Sequence, residues 1–231
     1  MSDFGYRCVY LLGDHVFLLS SRTTILHRER AAIPGGYILV APHTTPFDVP
    51  LMIRHAPRFL DFMSVVEMKR HAFVRWFFGL MNTFYLDRSK KDAATLLNAV
   101  HRLKRGRAIA MFPEGGIRTT KTSVLNGGNL KPGVAGLAEL SGAPVIPCVV
   151  LGASSYESIL SWAPIGAVRY GVIFGEPMYF VPGEDRAAAR QAFLNELKDR
   201  FISLRDELAV TMEKKPRRST VSLNGNGDRR S

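Results

Sequence analysis

The sequence predicts one α/β domain, a mixed, mainly parallel sheet flanked by helices and preceded by an N-terminal amphipathic helical arm. Short apolar runs rich in β-branched residues alternate along the chain with longer stretches of helical periodicity, which is the pattern of a layered α/β fold. The 231 residues, 46% hydrophobic and 22% charged, suffice for one sizeable core and are short for two. Residues able to do chemistry stand directly after several apolar runs, where open α/β sheets collect their ligands.

Residues 6–27 are apolar around much of a helical circumference and finish in Arg28 and Arg30. They read either as an interfacial helix or as an arm packed on its own domain. Pro34-Gly35-Gly36 breaks that pattern, and 37–41 is a short run of buried-strand type. Extended segments follow at 59–65, 83–86, 108–112, 145–151 and 168–175, against helical ones at 69–81, 92–104, 133–141 and 184–212. The clearest helix is 92–104: Asp92 caps it, Leu96, Leu97, Val100 and Leu103 form its apolar stripe, and Gly106 stands just past its end. The chain therefore divides into an amphipathic membrane-associating arm (1–30), a catalytic-type body (31–212) and a basic tail (213–231) expected to be disordered.

Charge and cysteine content narrow the partners. With 31 Lys+Arg against 20 Asp+Glu the net charge is +11, which favours phosphorylated small molecules, acidic lipid surfaces or nucleic acid. Outside the tail the basic residues are dispersed, with no aromatic–basic RNA motif and no helix-turn-helix signature, so nucleic acid is not an expected partner. Cys8 and Cys148 stand far apart in apolar surroundings, which argues against a disulfide framework and a thiolate metal site. Asp14-His15 and Arg75 interrupt the two longest apolar stretches below the roughly 18 residues a spanning helix needs, so membrane contact is expected to be shallow.

Pro42-His43-Thr44-Thr45-Pro46-Phe47-Asp48 begins where the first strand stops. On one continuous helix His43 and Asp48 would lie about 140° apart. If His43 ends the strand, Thr45 caps a helix and Pro46 is its first residue, then Asp48 can turn back to the imidazole as a His–carboxylate dyad. Alternatively Thr45-x-x-Asp48 is a capping box and His43 a loop residue. A second strand runs into Phe112-Pro113-Glu114-Gly115-Gly116-Ile117-Arg118, where glycines allow close backbone approach and Arg118 offers a phosphate-compatible fork, or which is an ordinary strand-to-helix loop. A third ends in Asp87-Arg88, by itself a surface ion pair. His15, His27, His55, His71 and His101 have no partner at dyad or metal spacing and read as structural or surface residues.

Taken together, the strand ends resemble the glycerolipid acyltransferases of the 1-acylglycerol-3-phosphate acyltransferase (PlsC-like lysophospholipid acyltransferase) family. His43-x4-Asp48 is similar to its His/Asp block and Phe84-Tyr85-Leu86-Asp87-Arg88 to its arginine block. Phe112-Pro113-Glu114-Gly115 is similar to its Phe-Pro-Glu-Gly block and Val145-Ile146-Pro147 to its hydrophobic-proline block. The resemblance covers about residues 35–180. It implies transfer of a fatty acyl group from acyl-CoA or acyl-carrier protein (ACP) to a lysophospholipid hydroxyl or a related lipid hydroxyl, at the cytoplasmic face of a membrane. It implies no metal and no cofactor beyond the acyl donor as co-substrate. His43 would be the base and Asp48 its orienting partner, with Arg88, Glu114, Gly115 and Arg118 binding the acceptor. Arg118 stands one position later than the family's usual arginine, so Arg88 is expected to carry more of the phosphate.

Overall fold

The computed structural model describes residues 4–65, 79, 82–86, 93–163 and 168–214. The expected helix 69–81 (apart from Gly79), Arg88, and the tail beyond Lys214 lie outside the described residues. Among the described residues seven strands form one sheet in the order β1-β7-β6-β2-β5-β3-β4. They are β1 (Ser21–Leu26), β2 (Tyr37–Val40), β3 (Leu60–Val65), β4 (Phe84–Leu86), β5 (Ala108–Met111), β6 (Val145–Leu151) and β7 (Val168–Phe174). Every neighbouring pair is parallel except β6 with β7.

Side-chain alternation divides the core between two faces. Tyr37, Leu39 and Ala41 point to one, packed with α1 (Phe4–Ser20) and α2 (Asp48–His55). Ile38 and Val40 point to the other, packed with α3 (Ala93–Lys104), α4 (Gly133–Ser141) and α5 (Arg186–Lys214). Both faces are covered, as a largely parallel sheet requires.

Three expectations need correction. The helical reading of 6–27 stops at Ser20: Ser21 donates its hydroxyl to Phe17 O (2.5 Å) and the chain then pairs with β7 as an edge strand. Thr23, Thr24 and Ile25 are β-branched, which favours the pleated surface over a further helical turn. On α3, Leu97 is 67% exposed while Leu96, Ala99, Val100 and Leu103 face the core, because one residue turns a helix by about 100°. Helix α2 begins at Asp48 and not at Pro46, for reasons that belong to the site itself.

Gly106 ends α3 as expected. At φ +77° it donates to Leu103 O, while Arg107 N reaches Arg102 O, the paired bonds of a Schellman cap. This turn delivers Arg107 to the start of β5.

Helix α1 is tied to the domain by buried polar contacts as well as by Tyr6 and Phe17. Asp14 pairs with Arg54 (2.7 Å), Arg54 donates to the Tyr170 hydroxyl (2.8 Å), and that hydroxyl lies 2.7 Å from His55 Nε2. A neutral imidazole can accept the Tyr170 proton at Nε2 while the same hydroxyl oxygen accepts from Arg54. Burial pushes His55 down from 6.5 to about 3, reinforced by Arg54 and Arg28, and pushes Tyr170 up to about 12. Above pH 6.5 His55 is neutral in both folded and unfolded chains; between 6.5 and about 3 only the unfolded chain takes up the proton. His55 should therefore cost stability as pH falls from 6.5, on the order of 1 kcal/mol per pH unit. Denaturant melts at pH 7 and pH 5 should show a smaller loss for His55→Gln than for the native chain; equal losses would mean that His55 does not stay neutral.

Candidate active site

Residues 41–47 leave the carboxyl end of β2 and turn into α2. The Thr45 hydroxyl accepts from Phe47 N (3.3 Å), and Asp48 N donates to Thr45 O (3.2 Å), closing a turn before regular helix begins. Asp48 reaches back over that turn. Its Oδ2 accepts from Thr44 N (2.7 Å) and Thr45 N (2.9 Å) and lies 3.2 Å from His43 Nδ1. Asp48 Oδ2 thus makes the return bond of a capping box to Thr45 N and meets the imidazole as well, while the Thr45 hydroxyl serves Phe47 N and not Asp48 N.

Asp48 is wholly buried, whereas the His43 side chain keeps 15% of its surface exposed. Asp48 Oδ1 is buried and accepts no hydrogen bond among the described residues, so the carboxylate directs its bonding through Oδ2. An ionised carboxylate can only accept, which requires the proton of a neutral imidazole to sit on Nδ1 and leaves the Nε2 lone pair available. The His43 ring stacks on Phe112 with centroids 4.0 Å apart and planes at 16°. Phe112 follows β5, the strand beside β2, so the sheet itself sets this stack.

Glu114 holds the His43 backbone. Its Oε2 accepts from His43 N (2.7 Å), and Oε1 accepts from Ser123 Oγ (3.0 Å) and Val124 N (2.6 Å). The residue is 2% exposed. The Phe112–Gly115 turn places it: Gly115 N donates to Phe112 O (3.0 Å) and Gly115 takes φ +79°, a region closed to most side chains. Arg118 N then donates to His43 O (2.6 Å), so both backbone polar groups of His43 are held by the 113–118 loop. Lys131 N closes the far end of the excursion on Pro113 O (2.8 Å).

The loop thus brings His43, Asp48, Glu114, Gly115 and Arg118 together. The Arg118 side chain is exposed and makes no ion pair among the described residues. Strand β4 ends at the same end of the sheet as β2, three strand spacings or about 14 Å away. Phe112, Ser123 and the Thr44 amide were not expected as site residues; Ser123 had a signal, since it caps the short 3-10 turn Val124–Asn126. Among the described residues no three His, Cys, Asp or Glu side chains gather as a metal site would need. Cys148 is buried in β6, and burial pushes its thiol well up, away from nucleophilic use.

A family model described as acyltransferase matches residues 23–151, more than half of the chain. The chain is 33% identical over 157 residues to the 1-acyl-sn-glycerol-3-phosphate acyltransferase of Saccharomyces cerevisiae, covering 66% of this chain and 50% of that protein. It thus spans half the length of the yeast relative. It is 23% identical over 187 residues to the enzyme of the same name from Bacillus subtilis, covering 78% and 88%. In fold it is similar to the crystal structure of the 1-acyl-sn-glycerophosphate (LPA) acyltransferase PlsC from Thermotoga maritima, with a TM-score of 0.65, 20% identity, and coverage of 86% of this chain and 79% of that one.

Removing the Glu114 carboxylate would orphan two backbone N–H groups and a hydroxyl in a buried setting. Glu114→Ala should therefore lower unfolding free energy by about 2–4 kcal/mol, and Ser123→Ala by about 1. Equilibrium denaturation measures both; a Glu114→Ala protein as stable as the native chain would mean that these bonds do not hold the loop.

Proposed function

The chain belongs to the acyltransferase family, and from that premise we propose that it transfers a fatty acyl group from acyl-CoA or acyl-ACP to the free hydroxyl of a lysophospholipid of the 1-acylglycerol-3-phosphate type. The observation that carries this reading is the His43–Asp48 pair at a strand's carboxyl end, with an exposed imidazole edge. His43 Nε2 takes the acceptor's hydroxyl proton as its oxygen attacks the thioester carbonyl, and Asp48 steadies the imidazolium that forms. When the tetrahedral intermediate collapses, the C–S bond breaks and the imidazolium returns the proton to the departing thiolate. No acyl-enzyme and no cofactor enters this sequence. The two curated relatives support the acceptor class by name. A second reading within the same chemistry is another lipid hydroxyl, such as glycerol-3-phosphate, a lyso-aminolipid or a glycolipid.

In this reading Arg88 and Arg118 bind the acceptor's phosphate and Gly115 lets the loop approach it. Glu114 has another role from the one its motif implies. Both its oxygens are occupied by His43, Ser123 and Val124, so it positions the base and leaves the phosphate to the arginines. The protein works at the cytoplasmic face of a membrane, where acyl-CoA and acyl-ACP are available. No helix among the described residues is long and apolar enough to cross a membrane. Leu11, Leu18 and Leu19 of α1 remain 58–59% exposed, and these supply a shallow apolar contact with lipid.

The test is to offer purified protein a panel of lyso-lipids and glycerol-3-phosphate with acyl-CoA or acyl-ACP, and to identify the acylated product by mass spectrometry. His43→Ala should lower turnover by about 10²–10⁴, with Asp48→Asn affected less. A folded His43→Ala protein with native activity would remove His43 from the mechanism. Replacing Leu11, Leu18 and Leu19 together by Ser should weaken co-sedimentation with anionic vesicles; unchanged binding would place the lipid contact elsewhere. This substitution leaves β1 in place, which a deletion of the first 30 residues would not.

A further inference from the structure

We infer that the protein carries a second anion site, at the opposite end of the sheet from His43, suited to a phosphomonoester. A cavity of about 480 Å³ opens there beside the amino ends of β3 and β5, bordered by Tyr10 of α1 and Ile53 of α2. Arg28, Arg58 and Arg107 line it, with no carboxylate among the described lining residues. A smaller cleft of about 260 Å³ shares Arg107 and adds Arg102 and Arg105, with Asp61 as its one acid.

Among the described residues five guanidiniums thus meet one carboxylate, Asp61, which two of them already share. Asp61 is fully buried between Arg102 (2.8 Å) and Arg107, whose Nε lies 3.1 Å away. Of the acids on the adjoining described segments, Asp14 pairs with Arg54 (2.7 Å) and Glu29 lies 3.7 Å from His27. Arg58 donates to the carbonyls of Ile33 (3.0 Å), Gly35 and Gly106, and Arg28 donates Nε to His55 O (2.9 Å). Carbonyls satisfy hydrogen-bond geometry without cancelling charge, so the cluster keeps its mutual repulsion until an anion enters. The terminal nitrogens of Arg28 make no hydrogen bond among the described residues, so its fork is the group available to an incoming oxygen.

The ligand chemistry follows from this excess. A phosphomonoester near neutral pH carries close to two negative charges and three acceptor oxygens, which match several forks at once where a carboxylate would match one. Ile53, Pro57 and Phe59 make the rest of the wall apolar, leaving room for a small organic body beside the phosphate. A soluble phosphomonoester and the headgroup of a lipid phosphomonoester present the same chemistry.

Hydrogen exchange on the full-length protein tests this, with sodium chloride of equal ionic strength as reference. One arm uses inorganic phosphate and glycerol-3-phosphate; the other uses phosphatidylcholine vesicles with and without phosphatidic acid. Slower exchange at 33–36, 56–59 and 105–108 supports the site: in the first arm for a soluble ligand, and only with phosphatidic acid for a headgroup. Arg28→Gln should weaken the apparent affinity about tenfold and Arg28→Lys less, the usual gap between losing a charge and losing a fork. His43→Ala and Arg118→Ala should leave this protection intact, because it does not rest on acyl transfer. No protection at these loops in either arm, or protection equally strong in Arg28→Gln, would overturn the inference.

Discussion

The local structure of the site depends on one buried oxygen, Asp48 Oδ2. A carboxylate without solvent exposure must be compensated by donors, and those available are the Thr44 and Thr45 amides and the imidazole of His43. The same bonds that stabilise the carboxylate fold the 44–48 turn and aim the ring. The helix cannot start earlier without pulling Asp48 off the turn, and the ring cannot rotate without leaving Oδ2 one donor short. Glu114 does for the His43 backbone what Asp48 does for its side chain, from a neighbouring loop delivered by the adjacent strand.

The parallel sheet makes this arrangement possible. Strands β2, β3, β4, β5 and β6 run the same way, so their following loops share one edge, and residues far apart in sequence meet there. The opposite edge receives the turns that enter the strands, and there the chain has gathered Arg58 and Arg107 at the entrances to β3 and β5. The two ends of the sheet therefore differ in character: one bears His43 set between the carboxylates of Asp48 and Glu114, the other a cluster of guanidiniums.

Much of this was legible in the sequence because periodicity and punctuation agreed. The seven-residue strand 145–151 and the helix 133–141 were expected at the residues where they occur, since glycine and proline bound both. The α/β class and the mainly parallel sheet followed from the alternation of such segments. Strand β1 was hidden, because the apolar run of α1 continues into Ile25 and Leu26 and only the Thr-Thr-Ile stretch marks the change of period. Leu97 was misassigned because a leucine counts as apolar whichever way the helix turns it. At the site, His43 and Asp48 stood out by spacing after a strand, and Glu114 and Gly115 by the turn that bears them. The internal use of Glu114 was not legible: its partners, Ser123 and Val124, come from a loop of no regular period, and a carboxylate after a strand looks the same whether it meets a ligand or a backbone amide.

With Asp48 Oδ2 accepting from Nδ1, His43 is held as the Nδ1–H tautomer and its Nε2 is left unprotonated on the exposed edge. Nitrogen-15 NMR of histidine-labelled protein, at a pH where the ring is neutral, reads this directly because protonated and unprotonated ring nitrogens resonate in different regions. The account predicts that His43 gives a protonated Nδ1 and an unprotonated Nε2, and that Asp48→Asn disturbs this assignment. A native His43 protonated on Nε2 would contradict it, since that ring could not take a proton from a hydroxyl on its exposed edge.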